Sequence, residues 1–495
     1  MTEAFLELFR GNTIWLMLAG IVAGIIIGAL PGLTATMGVA LLVPFTFWLP
    51  TLPALMVLLG VYVGAMYGGA IPAILIRTPG TPAAAATSID GYPLAQNGQA
   101  GLAIGISCIT GVIGGVFSTL VLMLASPQVA RFALKFGPAE YFALAVFGLS
   151  VLASLSEKSL LKGALMGVLG LLLATIGMDP ITAVPRFTFG LTPLLEGLSL
   201  VPVLVGVFAL GEVLYQIGWP EPEQKIFQKI GRILPSLNEY KRIALPTLLA
   251  SVTGTLVGAL PGVGGDVASF IAYDQAKKVS RQPEQFGKGS IEGLAAAECA
   301  NNSITGGAMI PMLTFGIPGD AVTAVILGAL LMHGVRPGPE LFEKQVHLLT
   351  AIFVGLLVAN LLVLPVGLAG AKFFAQTVRA PRHYLFPMIV VLCVVGSYAI
   401  NNSLFDVGMM FIFGLLGWAL RRWGFPIAPL VLGLILGRMA EENLRRALIM
   451  SEGSWLIFVK QPLSLTLLLL AFSSVAFSIW QNYRLAKNQQ TKNPT

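Results

Sequence analysis

Long apolar runs alternate with short polar stretches along nearly the whole chain. Runs close to the roughly 20 residues that a helix needs to cross a bilayer include residues 101–126, 194–217 and 350–370. About ten to twelve spanning or half-spanning segments of this kind fit on the chain. The pattern predicts an all-α polytopic membrane protein.

Two of the apolar runs are interrupted by the same five residues, GALPG, at Gly28–Gly32 and again at Gly258–Gly262. A second match follows each copy: GGAIPAILIRTPGTPAAA from Gly68 and GGAMIPMLTFGIPGDAVTA from Gly306. The GALPG copies are 230 residues apart, and the Pro-Gly pairs inside the second matches are 239 residues apart. Two matches in the same order indicate an internal duplication.

The duplication divides the chain into four predicted regions. We expect a first repeat over residues 10–217, a basic cytoplasmic linker over 218–243, a second repeat over 244–450, and a C-terminal transmembrane helix with a polar tail over 451–495.

Positive charge predicts how the two repeats are oriented. The second GALPG run, residues 244–276, has basic residues on both sides, and such residues favour the cytoplasm. A run that starts and ends on one side is typical of a re-entrant helical hairpin, here with Pro261-Gly262 at its tip. The first run, residues 12–50, has few flanking bases, so we expect it to enter from the opposite side. The repeats are therefore predicted to be inverted, with the two proline tips facing each other inside the bilayer.

The breaks themselves indicate an anion site. Proline removes a backbone N–H and clashes with the preceding helical turn, while glycine permits the turn that a hairpin tip requires. Non-helical backbone at membrane depth is tolerated where it is buried in protein or lines a wet cavity, and helix N-termini carry partial positive charge. The alternative is a proline kink in an ordinary spanning helix.

Hydroxyl and amide side chains surround the breaks. We predict that the ligand is held by Pro31, Gly32, Thr34, Thr36, Thr78, Pro79, Gly80 and Thr81 in the first repeat and by Pro261, Gly262, Asn301, Asn302, Ser303, Pro318 and Gly319 in the second. For any one of the hydroxyl residues the alternative is an ordinary helix contact, because Ser and Thr are common at such contacts in lipid.

Acidic residues near the breaks are candidates for ion coupling. An ionised carboxylate inside the membrane costs at least ~2.5 kcal/mol, so Asp266, Glu298 and Asp320 are predicted to bind Na⁺ or carry a proton. The sequence does not identify Na⁺ ligands. Asp266 has the alternative of capping a helix and Glu298 that of a structural hydrogen bond. Arg77 is the one base near the breaks, and it either pairs with the anion or marks the membrane surface.

Composition narrows the function classes. Hydrophobic residues make up 56% of the chain and charged residues 11%, and the net charge of +7 lies in short clusters between apolar runs, which favours cytoplasmic loops over nucleic-acid binding. The three cysteines lack metal-ligand spacing, and no catalytic motif occurs. We therefore expect neither an enzyme nor a cofactor.

Four motifs carry a family resemblance: GALPGLTATMGVALLVPFTF, YGGAIPAILIRTPGTPAAAATSIDGYPLA, GALPGVGGDVASFIAYDQAKK and ECANNSITGGAMIPMLTFGIPGD. Over roughly residues 10–440 the chain resembles the large membrane subunit, the TctA type, of bacterial tripartite tricarboxylate transporters.

The resemblance implies a secondary transporter of the bacterial inner membrane that imports citrate and other di- or tricarboxylates with Na⁺ or H⁺. It also implies two partners, a small four-helix membrane subunit (TctB type) and a periplasmic solute-binding protein (TctC type). By analogy with other carboxylate carriers we expect an elevator motion. A re-entrant-loop anion channel is the alternative, and the motifs identify neither the carboxylate nor the coupling ion.

Overall fold

The computed structural model describes residues 8, 11–154, 160–218, 230–262, 264–378 and 380–492; of residues 152–154, 477 and 481–492 it describes the backbone alone. The chain is 79% helical. Within the described ranges, strand is confined to one antiparallel pair, β1 (Gly177–Met178) with β2 (Pro185–Arg186). The predicted all-α class is confirmed.

The chain divides into two compact units. Unit 1 comprises Met1–Ala130 and Val201–Leu416, and unit 2 comprises Arg131–Leu200 and Gly417–Thr495. The helices of unit 1 are α1 (Thr13–Ala29), α2 (Ala35–Thr46), α3 (Thr51–Gly68), α4 (Ala70–Ile76), α5 (Ala84–Leu94), α6 (Ala100–Ala133, whose last residues belong to unit 2), α9 (Leu200–Leu204), α10 (Gly211–Gln216), α11 (Leu237–Gly258), α12 (Gly264–Val279), α13 (Ile291–Phe315), α14 (Ala321–Met332), α15 (Pro339–Lys344), α16 (Val346–Thr377), α17 (Arg382–Asn401) and α18 (Leu404–Arg422, which also ends in unit 2).

Unit 2 contains the strand pair and the remaining helices: α7 (Pro138–Ser154), α8 (Leu160–Ala174), α19 (Ala428–Met450), α20 (Ile457–Lys460) and α21 (Pro462–Lys492). π-helical turns at Ala95–Gln99 and Val205–Leu210 join α5 to α6 and α9 to α10.

Among the described residues, six helical stretches are long and apolar enough to cross a membrane. They are Thr51–Ile76, Ala84–Ala133, Val346–Thr377, Arg382–Asn401, Leu404–Arg422 and Pro462–Trp480. Six shorter apolar helices, including Thr13–Ala29 and Ala35–Thr46, accompany them. These lengths and compositions are those of a multi-pass membrane protein.

Both GALPG motifs interrupt a helix. Helix α1 ends at Ala29 and α2 begins at Ala35, while α11 ends at Gly258 and α12 begins at Gly264. Gly32 and Gly262 have φ values of 91° and 77°, in the left-handed region that favours glycine. In the second repeat, α11 and α12 pack against each other as the two arms of a hairpin.

Helix α11 begins inside the stretch predicted as a linker. Ser236 accepts a hydrogen bond from the Glu239 amide at 3.4 Å, and the Glu239 carboxylate accepts one from the Ser236 amide at 2.6 Å. This capping box starts the helix seven residues before residue 244, the predicted boundary. Residues 219–229 of the predicted linker lie outside the described residues.

Glycines bring the first and third helices of unit 1 together. Gly20, Gly24 and Gly28 repeat at every fourth position of α1, and a Cβ on any of them would overlap a backbone oxygen of α3. Lipid supplies no hydrophobic force between helices, so close backbone approach through small residues stabilises the pair.

In unit 2 an ionic cluster holds the strand pair against α19. Arg186 bonds Glu441 at 2.5 Å, and Arg445 bonds Asp179 at 2.5 Å. Hydrogen bonds from the Thr182 and Ile181 amides, with help from Arg445, lower the pKa of Asp179 to about 2.

Candidate functional site

Each repeat carries two helix breaks, and these two breaks lie against each other. In the first repeat a Cβ at Gly80 would overlap the carbonyl oxygen of Gly28 and lie 2.9 Å from the Cα of Gly69. The Gly80 amide donates to the Gly69 carbonyl at 3.1 Å. The chain therefore returns from the end of α4 to the level of the GALPG break before α5 begins.

The second repeat has the same arrangement. A Cβ at Gly319 would lie 2.5 Å from both the Gly258 carbonyl oxygen and the Ala308 Cα. The Gly262 amide donates to the Gly319 carbonyl at 2.7 Å. Gly28, Gly69 and Gly80 thus correspond to Gly258, Ala308 and Gly319, at the spacings of 230 and 239 residues that the sequence matches have.

Helix packing keeps the same register in both repeats. A Cβ at Gly28 would meet Ala65, Gly68 and Gly69, and one at Gly258 would meet the corresponding Ile304, Gly307 and Ala308. Helices α1 and α3 therefore pack as α11 and α13 do, and residue pairs 239 apart in α3 and α13 occupy corresponding positions.

Helices restart immediately after the breaks, and side chains cap the N-termini of α2 and α14. The caps are Thr34 and Asp320, whose oxygens accept at 3.2 and 2.7 Å from the amide three residues further on. Before α5, whose N-cap is Ala83, Thr81 Oγ1 accepts at 3.4 Å from the Ala84 amide. Asp266 lies in the first turn of α12, and its capping role stays a prediction. Each of these helix starts places partial positive charge near a break.

Among the residues that the structure describes, two polar contacts join one repeat to the other at the breaks. In the first, the hydroxyl of Tyr62 on α3 donates to Asp320 Oδ2 at 2.8 Å. Asp320 Oδ1 accepts from the Thr323 amide at 2.7 Å and from the Thr323 hydroxyl at 2.6 Å. We name this contact the Asp320 junction; both oxygens of its buried carboxylate have donors.

In the second contact, Asn301 on α13 reaches the backbone of α3. Its Nδ2 donates to the Met66 carbonyl over a long 3.4 Å, and its buried Oδ1 accepts no hydrogen bond from any residue that the structure describes. A Cβ at Gly265, in the first turn of α12, would lie 2.9 Å from Asn301 Oδ1 and 3.0 Å from the Ala83 Cβ, which precedes α5. We name this contact the Asn301 junction; here the unpartnered Oδ1 lies where two helices begin.

Glu298 lies on α13 about one turn before Asn301. Its side chain is fully buried and accepts hydrogen bonds from the hydroxyl of Thr87 on α5 and, at 3.1 Å, from that of Ser107 on α6. The structure shows no ion pair to Glu298 within the ranges it describes, and there it holds no group of three or more His, Cys, Asp or Glu side chains placed to bind a metal. A carboxyl group with hydroxyl donors alone suits proton uptake and release.

Other predicted ligands lie around the same breaks. Pro31, Pro261, Gly80, Pro318 and Gly319 are buried, while Gly32, Thr36, Pro79 and Gly262 are partly exposed. The Thr78 hydroxyl donates to the Ile76 carbonyl at 3.4 Å, at the end of α4.

Asn302 and Ser303 lie on a different face of α13 from Asn301. They donate to carbonyls of their own helix at 3.0 and 2.7 Å. Cβ atoms at Gly111 and Gly114 of α6 would meet them within 2.8 Å, so both side chains pack α13 against α6.

Arg77 is exposed and follows α4 with a left-handed φ of 56°. Its guanidinium lies 5.9 Å from the ring centroid of Tyr92. The corresponding residue after α13 is Gly316, with φ 71°. The geometry favours the interpretation of Arg77 as a surface residue.

Sequence reasoning missed the partners of the first break. Gln216 on α10 donates to the Gly32 carbonyl at 2.5 Å and to Glu212 at 2.6 Å. Glu212 and Gln216, two polar residues four positions apart in an otherwise apolar run, were the sequence signal that could have indicated this contact. Tyr62 was missed as well, because only its correspondence to Asn301 distinguishes it from other buried aromatics.

Known proteins match this chain over the region that contains these motifs. The model of the tripartite tricarboxylate transporter TctA family matches residues 14–432. An Agrobacterium vitis protein described as an uncharacterized 52.8 kDa protein in the TAR-I ttuC' 3' region is 39% identical over 478 residues, 97% of this chain and 95% of the relative. An uncharacterized protein in the TAR-II ttuC' 3' region of the same organism is 39% identical over 236 residues, 48% of this chain and 98% of the relative. No solved structure matches the chain.

Proposed function

Because the chain belongs to the tripartite tricarboxylate transporter TctA family, we propose that it is the permease subunit of a secondary transporter that imports di- and tricarboxylates such as citrate. It is a transporter component and a multi-pass membrane protein. The proposal adds the bacterial inner membrane as its location and symport with Na⁺ or H⁺ as its energy source.

One observation carries the proposal: broken helices begin next to buried polar side chains in the interior of unit 1. The starts of α5 and α12 meet at Asn301, and the start of α14 meets Tyr62. Helix N-termini and side-chain donors bind anions without a permanent buried cation, which suits a carrier that must also release its substrate.

The repeats are proposed to be inverted and to work as an elevator. Corresponding packing of α1 with α3 and of α11 with α13 supports the duplication on which this rests. Flanking charge supports the inversion. That the two proline tips face each other stays a prediction, since the contacts described between the repeats run through Asn301, Tyr62 and Glu298 and not through the tips.

Glu298 is the proposed site of ion coupling. The Glu298 carboxyl is buried, accepts from two hydroxyl groups and lies one turn from Asn301. A change in its charge would therefore alter the electrostatic potential where substrate would bind. Asp266, in the first turn of α12, is a second candidate. Asp320 is the weaker one, because donors from its own surroundings already satisfy both oxygens.

Two partner proteins complete the proposal. A small membrane subunit of the TctB type would stabilise the permease, and a periplasmic protein of the TctC type would capture the carboxylate and deliver it. These assignments rest on family membership.

Reconstituted uptake tests the function. The chain, its small subunit and its binding protein are placed in liposomes, and labelled citrate, tartrate and glutarate are offered under separate Na⁺ and proton gradients. We expect accumulation of at least one carboxylate above its external concentration. A channel would only equilibrate the label, and that result would reject the symport proposal.

Two variants locate the function at the breaks. The quadruple alanine variant of Pro31, Pro79, Pro261 and Pro318 is expected to insert but to lose uptake, because continuous helices remove the exposed amides. Glu298→Gln is expected to keep exchange of internal for external substrate but to lose accumulation, because the amide carries no proton. Normal uptake by the quadruple variant would refute the placement of the site.

A further inference from the structure

The Asp320 junction and the Asn301 junction are related position by position. At the spacing of 239 residues that the Pro-Gly breaks have, Tyr62 corresponds to Asn301 and Thr81 corresponds to Asp320. Asp320 is the N-cap of α14, whereas Thr81 precedes α5 by three residues and accepts at 3.4 Å from the amide of Ala84, the first residue of that helix. In sequence register, each junction thus pairs a polar residue before a restarting helix of one repeat with a polar side chain on the third helix of the other.

The Asp320 junction shows which chemical group this arrangement binds. Its carboxylate lies at the N-terminus of α14 and receives hydrogen bonds from a backbone amide, a threonine hydroxyl and the Tyr62 hydroxyl, at 2.6 to 2.8 Å. Three donors and a helix N-terminus are strong stabilisation for an anionic oxygen pair. The chain itself supplies that anion.

The Asn301 junction has the same framework without the acid. Thr81 Oγ1 accepts from the amide of Ala84, the first residue of α5, at 3.4 Å, and its own hydroxyl hydrogen is left for another acceptor. Asn301 is fully buried, and its Oδ1 has no donor among the residues that the structure describes. A second helix, α12, also begins here. A Cβ built on Gly265, in its first turn, would lie 2.9 Å from Asn301 Oδ1.

We propose that the Asn301 junction binds one carboxylate of the transported substrate, in the position that the Asp320 side chain takes in the other junction. The inference rests on the proposed function and specifies where and how the anion is held. Thr81 donates its hydroxyl hydrogen to the bound carboxylate. Rotation of the Asn301 amide exchanges Oδ1 for Nδ2 and presents a second donor; it replaces the 3.4 Å hydrogen bond to the Met66 carbonyl with a contact between two oxygens, a cost that the bound carboxylate must offset.

The occupied Asp320 junction limits how a substrate is held. Because Asp320 fills one of the two equivalent places, a substrate is gripped by a single carboxylate at this pair of junctions. The rest of the substrate then contacts other surfaces of the protein, so dicarboxylates and tricarboxylates are anchored through the same group, one carboxylate.

A substitution that copies the Asp320 junction tests this. Thr81→Asp places a carboxylate at the N-terminus of α5, where the Asn301 amide can donate to it as Tyr62 does to Asp320. We expect normal membrane insertion and an unchanged melting temperature. Like-charge repulsion is expected to lower the affinity for the carboxylate identified by uptake by at least about a hundredfold. Binding is measured by isothermal titration and by uptake.

Two variants serve as controls. Thr81→Asn adds a similar volume without charge and is expected to lower affinity by less than about tenfold. Ser236→Asp adds the same charge to the N-cap of α11, outside both junctions, and is expected to transport as the parent protein does.

The outcomes separate the two proposals. If the parent protein transports no carboxylate, the proposed function fails. If the parent transports and Thr81→Asp binds substrate with unchanged affinity, the junction assignment is overturned while the function stands. Unchanged affinity together with tighter Na⁺ binding in Thr81→Asp would identify the junction as a cation site and also overturn the assignment.

Discussion

The two junctions of unit 1 use corresponding positions, and only one of them contains an acid. In one, Asp320 caps the helix N-terminus and accepts from Tyr62; in the other, Thr81 accepts from the first amide of the helix and Asn301 keeps an unpartnered oxygen. A duplicated framework therefore offers two equivalent anion positions, and a single substitution fills one of them. In a duplicated protein, a polar residue at a broken helix is therefore best interpreted together with its counterpart in the other repeat. The counterpart shows which chemical group fits that position.

Further differences between the repeats follow the same logic. Glu298 corresponds to Leu59, so the acid proposed for coupling is present in one repeat and replaced by a buried apolar residue in the other. Arg77 corresponds to Gly316, so a strained arginine stands where the other repeat has a glycine. We expect functional residues at positions where the two repeats differ. Residues that the repeats share, such as Gly28 and Gly258, maintain the helix packing.

The largest expected effect comes from the shared glycines. A Cβ at Gly28 would overlap the Ala65 carbonyl oxygen, whereas the nearest atoms at Gly258 are 3.1 Å away. Gly28→Ala should therefore lower the free energy of unfolding by more than about 3 kcal/mol, and Gly258→Ala by about 1 kcal/mol. Unfolding of the purified variants in detergent measures both. Equal losses of stability would contradict the structure, in which α1 and α3 approach more closely at Gly28 than α11 and α13 do at Gly258.

Asp320 and its counterpart Thr81 give the next effect. Asp320→Ala removes a cap and leaves the buried Tyr62 hydroxyl without an acceptor, so we expect a loss of about 3 kcal/mol in stability. Thr81→Ala removes only the long hydrogen bond from the Ala84 amide and should lose about 1 kcal/mol. Unfolding experiments with both variants compare the junctions directly.

Acetate and a double variant sharpen this test. Added acetate should raise the melting temperature of Asp320→Ala, because it replaces the missing carboxylate, and should leave Asp320→Asn unchanged. Adding Tyr62→Phe to Asp320→Ala should recover part of the lost stability, since no hydroxyl is then orphaned. If acetate has no effect on Asp320→Ala, the junction is not selective for a carboxylate.

The smallest effect is expected at Arg77. A left-handed conformation costs a side-chain-bearing residue about 1–2 kcal/mol, and the Tyr92 contact returns about 0.5 kcal/mol. Arg77→Gly should therefore raise the free energy of unfolding by less than about 1 kcal/mol, whereas Gly316→Ala should lower it by about 1 kcal/mol. A destabilised Arg77→Gly would show that the guanidinium makes a stronger contact than the one with Tyr92.

Much of the framework was predictable because its signals are local. Proline and glycine fix the breaks at GALPG, and apolar run length fixes the membrane class. The start of α11 at Leu237 was missed because basic residues suggested a linker, while the Ser236–Glu239 capping box had already started a helix.

The site was less predictable because its contacts are distant in sequence. Tyr62 and Asp320 are 258 positions apart, and Thr87 and Glu298 are 211 apart. Asn301, Asn302 and Ser303 were selected together, yet a helix turns about 100° per residue, so only Asn301 points to the junction. A single sequence does not reveal which of three neighbouring polar residues faces the breaks.

A density map of the permease with its small subunit, determined with a saturating concentration of the transported carboxylate, tests the central claim most directly. The account predicts a substrate carboxylate within hydrogen-bonding distance of Thr81 and Asn301, between the starts of α5 and α12, with Asp320 still bonded to Tyr62. Substrate density that displaces the Asp320 side chain, or that lies away from both junctions, would contradict it.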